Sequence, residues 1–224
     1  NLYLYSAYNV PLGQFFATLA PLTVLSWLLI MAVMLLRKAS SASLSYSKAA
    51  PRMDKASLLI LTALFLLSIG AVVHLVDYRI VLAVVAVVML LWKRDVLKKV
   101  DYMLLLTFVC FFVVSENLGR VEAVRSFLQS LLSGSTLLTA VGASQVISNV
   151  PAAVLLSGFT DSWRELLAGV NIGGLGTPIA SLASLITLKL YMRWPGAKIG
   201  KFLAVFTVAN IAGMALLLGF GLLF

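Results

Sequence analysis

Between Ser144 and Ser181 two polar breaks interrupt otherwise apolar sequence. The first reads Ser144-Gln145-Val146-Ile147-Ser148-Asn149-Val150-Pro151. The second reads Asn171-Ile172-Gly173-Gly174-Leu175-Gly176-Thr177-Pro178. In hydrocarbon an unpaired backbone polar group costs several kcal/mol, so such a break survives only where protein shields it or where it lines a cavity. Two breaks this close together point to a solute or ion site built from broken helices.

The surroundings of the breaks are those of a membrane protein. Of 224 residues, 62% are hydrophobic and 11% charged, against roughly 25% charged in a soluble domain. The net charge is +9, but the charges sit between apolar runs. That placement is a membrane-topology signal rather than a nucleic-acid footprint. The single cysteine, Cys110, excludes an internal disulfide and a multi-cysteine metal site. It reads as a small buried hydrophobe. No initiator Met or charged leader precedes Asn1, so the chain reads as lacking a signal peptide and continuing from the middle of a longer protein.

Taken in order, residues 1–8 are apolar but too short to span. Asn9, Pro11 and Gly13 make a turn, and 14–36 are long enough to cross. Residues 39–53 have linker composition. Spans are expected at 56–76, 78–93 and 101–115, the last two with short apolar centres that need snorkelling flanks to cross, a re-entrant pair being the alternative. Residues 116–126 fit an amphipathic interfacial arm, with Glu116, Arg120, Glu122 and Arg125 as its solvated face. Residues 127–159 form two short apolar arms around the first break, expected as a re-entrant hairpin. Residues 162–193 form a helix broken by the second motif, with Asp161 as its expected N-cap and Pro178 in the first turn of its second half. Residues 200–224 make a last span. His74 reads as an interface histidine, and Asp161, Arg164 and Glu165 as headgroup-level charges.

The charges support this plan. Segments 37–55, 93–101 and 189–201 carry thirteen of the seventeen Lys and Arg. Arg79, Arg120, Arg125 and Arg164 fall on the other side, with five of the eight acids. The positive-inside rule then makes those three segments cytoplasmic, with the C-terminus outside and the hairpin entering from the outer face.

The breaks offer hydroxyls and amides from Ser144, Ser148, Asn149, Asn171, Thr177 and Ser181. Backbone groups are freed at Val150, Pro151, Gly173, Gly174, Gly176 and Pro178. Half-helix N-termini suit anions, while C-termini and loose carbonyls suit Na⁺. Ser148, Asn149, Asn171 and Thr177 are the expected ligands of such an ion. Neither break contains a carboxylate. No metal cluster, nucleophile–base pair or phosphate loop is legible, so an enzyme and an organic cofactor are not expected.

The Ser148-Asn149-Val150-Pro151 tip, followed by Gly169-Val170-Asn171-Ile172-Gly173-Gly174-Leu175-Gly176-Thr177-Pro178-Ile179-Ala180-Ser181, resembles the second half of the ion transporter superfamily. That superfamily includes citrate-transporter-like permeases, divalent anion/sodium symporters, arsenite permeases and some sodium/proton antiporters. The resemblance implies an all-α inverted-repeat secondary transporter. Residues 1–38 would be the tail of the first repeat, 39–53 a cytoplasmic linker and 54–224 the second repeat. It further implies a homodimer, a small anionic solute, elevator-type movement, and a site completed by the N-terminal half of the same protein. Val150 stands where dicarboxylate symporters usually carry Thr, and Ser148 where the antiporter branch often carries Asp. Both differences point toward the arsenite and citrate-like permeases. The expected function is therefore a Na⁺- or H⁺-coupled permease for a carboxylate or an arsenite-like oxyanion in the cell membrane. A Na⁺/H⁺ antiporter and a non-transporting membrane scaffold are the alternatives.

Overall fold

The computed structural model describes residues 1–36 and 54–223, and every regular element among them is helical. The expected linker 39–53 lies outside the described residues. The helices are α1 (Leu2–Ala7), α2 (Leu12–Leu36), α3 (Lys55–Val72), α4 (Tyr78–Trp92), α5 (Arg94–Leu97), α6 (Tyr102–Gly119), α7 (Glu122–Gly134), α8 (Thr136–Ile147), α9 (Asn149–Ser157), α10 (Trp163–Gly173), α11 (Leu182–Met192) and α12 (Ile199–Gly221).

Among the described residues four helices are long and apolar enough to cross a bilayer: α2, α3, α6 and α12. Their side chains explain the lengths, since Leu, Ala, Phe, Met and Val run for 18 to 25 residues with few polar interruptions. α6 reaches 18 residues because it continues through Glu116 to Gly119. The expectation of an interfacial arm at 116–126 is corrected accordingly. The amphipathic helix is α7, and it begins at Glu122. Arg120 closes an exposed turn-to-turn ion pair with Glu116 at 2.6 Å. Cys110 is exposed on α6 rather than buried, which suits a helix whose apolar face meets lipid.

The chain divides into two units. The unit spanning Lys38–Met103 contains α3, α4 and α5. Asp54 caps α3 by accepting from Ala56 and Ser57 N–H. His74, with φ 60°, ends the same helix: its N–H reaches Ala71 O and that of Leu75 reaches Gly70 O. This is the left-handed termination that satisfies the last carbonyls of a helix, and it stops the expected 56–76 span at Val72. Asp77 caps α4 through the Arg79 N–H, 2.7 Å away. With 15 residues, α4 is about 22 Å long, short of a hydrocarbon core of about 30 Å.

The other unit, Asn1–Arg37 with Leu104–Phe224, is built around α8, α9 and α10. Its core includes Leu132, Ala140, Ala152, Ala153, Leu156, Leu166, Leu167 and Val170, joined by Leu4, Tyr5, Val10 and Phe15 from the N-terminal segment. A second cluster of Leu22, Leu137, Val141, Ile172 and Leu217 ties α2 and α12 to α8 and α10. The long helices are mostly exposed apolar surface. The buried residues gather on the short broken ones, because these carry polar backbone ends that must be shielded.

Candidate functional site

The first break falls between α8 and α9. These arms have 12 and 9 residues, about 18 and 13 Å at 1.5 Å per residue, so neither can cross a bilayer core. Ser148 forms the tip with φ 73° and ψ 152°, a region that side-chain-bearing residues rarely adopt. Pro151 lies in the first turn of α9, where its missing N–H costs no helical bond.

The second break separates α10 from α11. α10 starts at Trp163 with Ser162 at its cap position and no side-chain cap bond, so Asp161 is not the N-cap expected from sequence. Pro178 lies within the loop rather than in α11. Ser181 caps α11 by accepting from the Ser184 N–H at 3.2 Å.

α8 and α10 pack backbone against backbone. A Cβ added at Gly169 would sit 2.7 Å from the Ala140 Cβ, and one at Gly173 would sit 2.8 Å from the Ser144 Cβ. Gly169 and Gly173 on one helix therefore face Ala140 and Ser144 on the other, each pair four residues apart. This is the small-residue stripe that lets membrane helices approach closely. Ser144 is fully buried, and its hydroxyl donates to Ala140 O at 2.7 Å. Gly173 and Ser144, both expected as ligands, meet here in close packing, and the Gly173 carbonyl stays available for a hydrogen bond.

The two breaks are fastened to one another mainly by a residue absent from the sequence-based site: Gln145. Its Nε2 donates to Gly173 O at 2.7 Å and to Leu175 O at 2.9 Å. Its Oε1 accepts from the Thr177 N–H at 3.0 Å. The Thr177 hydroxyl in turn donates to Gln145 O at 3.3 Å. Gly176, at φ 103°, brings the loop so close that a Cβ there would strike Gln145 Oε1. A few residues on, the Asn149 N–H donates to Ala180 O at 2.9 Å and the Ser148 hydroxyl points to the same carbonyl at 3.4 Å. A Gln within an apolar turn has donors and acceptors that must all be met. That need was the signal for Gln145, masked by its more obvious serine and asparagine neighbours.

The remaining expected ligands divide. The half-buried Asn149 carboxamide lies against Gly174, where an added Cβ would be 3.0 Å from its Nδ2. Asn149 contributes its backbone, not its side chain, to the fastening. Val150 is half-buried and Pro151 buried beside it. Asn171 donates to Leu167 O and exchanges two hydrogen bonds with the Asn1 carboxamide, at 2.9 and 2.7 Å. Asn1, at the N-cap of α1, thereby reaches the second break. The far end of α1 is held as well: the Tyr8 hydroxyl donates to Thr160 O at 2.6 Å and Ser157 O at 3.1 Å. Burial, with smaller contributions from Asp161 and Tyr3, pushes its pKa up to about 12.

Helices long enough to cross a bilayer, alongside a core of short interrupted helices packed through small residues, define a multi-pass helical membrane protein. Comparison with known proteins places it more narrowly. Residues 1–161 match the model of the citrate transporter family, and the chain belongs to that family. It is 32% identical over its whole length to an uncharacterized transporter of Methanocaldococcus jannaschii, of which it covers 60%. Over 112 residues, 49% of the chain, it is 40% identical to 30% of the inner membrane protein YbiR of Escherichia coli. The chain thus spans about 60% of the length of the first of these relatives. No solved structure matches it.

Proposed function

We propose that this chain forms the C-terminal part of a secondary active transporter for a carboxylate or an arsenite-like oxyanion, coupled to Na⁺ or H⁺. The observation that carries the reading is the joining of two helix breaks, tip to loop, through Gln145, Ser148 and Asn149. Breaks in membrane helices expose dipole ends, and a pair of them at one place is the chemistry that replaces hydration of a small ion or solute. The citrate transporter match and the transporter relative support the same class. The absence of a carboxylate from both breaks favours binding by backbone dipoles, hydroxyls and amides. In this reading α8 and α9 are a re-entrant hairpin. The chain is one inverted repeat with the tail of another, it works as a homodimer, and the hairpin and broken helix move together as the elevator. The thirteen-to-four distribution of Lys and Arg favours the orientation with 37–55, 93–101 and 189–201 in the cytoplasm of a cell or inner membrane.

The test uses the full-length protein in liposomes with imposed Na⁺ or proton gradients. Saturable uptake of citrate, another carboxylate or an arsenite-like oxyanion is expected. Asn149→Ala should reduce it at least about tenfold, the loss of one well-placed polar contact. Absence of gradient-driven uptake of every such solute, with Asn149→Ala indistinguishable from wild type, rejects the proposal.

A further inference from the structure

The last carbonyls of a helix have no intrahelical partner and carry partial negative charge. At a break inside a membrane such carbonyls are the natural ligands of a cation. α10 ends at Gly173, and two carbonyls at that end, Gly173 O and Leu175 O, both converge on Gln145 Nε2. The two hydrogens of that amide nitrogen serve these two nearest carbonyls, with Val141 O a longer third acceptor at 3.4 Å. Its oxygen faces the Thr177 N–H. The reversed amide would set oxygen against two carbonyls and NH₂ against an N–H, so the surroundings admit one orientation. Met214 Sδ is a further neighbour of the same nitrogen at 3.6 Å.

We infer that the Gln145 carboxamide is a built-in substitute for a cation at the C-terminal end of α10, so the hairpin and the broken-helix loop are joined without an ion. The inference rests on reading the two breaks as one site, and it narrows how that site couples. A coupling Na⁺ has to find its oxygens elsewhere. The Ser148 and Thr177 hydroxyls donate to Ala180 O and Gln145 O, which leaves their oxygen lone pairs able to face a cation. The Asn149 carboxamide oxygen is a further candidate, whereas Asn171 Oδ1 already accepts from Asn1 Nδ2 at 2.9 Å.

Amide hydrogen exchange of the segment 173–181 in the full-length protein reads this directly, in NaCl against choline chloride at one pH. Wild type is expected to protect the segment in both salts, with rates within about threefold. Gln145→Ala should expose it in both. Gln145→Glu, whose carboxylate faces the two carbonyls, should expose it in choline and regain protection in Na⁺. Slowing of wild-type exchange by Na⁺ beyond that threefold overturns the inference, and this arm needs no variant to fold. Gln145→Glu as protected as wild type in choline overturns it too. Exchange is independent of transport: a protein that moves no solute yet shows salt-independent protection loses the proposed function and keeps the clasp. Uptake with Na⁺-dependent protection does the reverse.

Discussion

At the scale of single residues, Ser148 and Ser144 illustrate how one residue type serves two ends. Ser148 holds φ 73° and ψ 152°, a backbone state that costs roughly 1–3 kcal/mol outside glycine. Ser148→Ala keeps that strain and loses the hydroxyl; Ser148→Gly loses the hydroxyl and sheds the strain. Thermal unfolding in detergent should therefore rank Ser148→Gly above Ser148→Ala by about 1 kcal/mol. Ser144 is different, since its hydroxyl only bonds back to the preceding turn. Ser144→Ala should change stability by less than about 1 kcal/mol and leave uptake intact, because such back-bonding adds little to a helix. A tenfold loss of uptake would return Ser144 to the ligands. Tyr8 supplies a pH test. Its pKa rises from 10.0 to about 12 on folding. The neutral phenol's contribution is thus fully present below pH 10 and is lost as the pH climbs through 12. Half-burial keeps the effect small. The stability difference between wild type and Tyr8→Phe should shrink over that window, in alkaline unfolding profiles.

Among elements, the close approach of α8 and α10 is the feature most exposed to mutation. Gly169→Ala would push a methyl against the Ala140 Cβ and Leu137 O, both at 2.7 Å. Neither contact is the end of a flexible side chain, so the helices must separate. A loss of about 1–3 kcal/mol is expected, as for other overpacked interiors. Gly142→Ala, on the open side of α8 with no neighbour within 4 Å, should be neutral or slightly stabilising, since alanine is the better helix former. Equal losses for the two, measured as unfolding midpoints, would show that α8 and α10 do not meet this way.

For the whole molecule, the charge distribution makes the sharpest claim. With Cys110 replaced by Ala, a cysteine at Ser162 should react with a membrane-impermeant maleimide added outside intact cells. One at Gly196 should react only after permeabilisation, because in the proposed topology the three segments with thirteen of the seventeen Lys and Arg share that loop's side. The reverse pattern would invert the topology. Since the chain covers 60% of its Methanocaldococcus jannaschii relative, uptake and orientation both belong to the full-length protein.

Much of the plan was legible from local chemistry. Apolar runs near 20 residues marked α2, α3 and α12, and Gly, Pro, Ser and Asn marked the breaks, because length and backbone punctuation are properties of consecutive residues. Helix ends were less legible. α6 ran through Glu116 to Gly119 because an ion pair to Arg120 can sit on an exposed turn without ending the helix. The roles of the polar residues at the breaks depended on which residue from a distant segment arrived beside them. Ser144 and Gly173 became packing because each found the other, 29 positions away in sequence, at contact distance. Gln145 became the clasp because Gly173, Leu175 and Thr177 brought two acceptors and a donor to the reach of one amide. Composition foretells that an amide among apolar residues must be satisfied; only the packing of α8 on α10 names its partners.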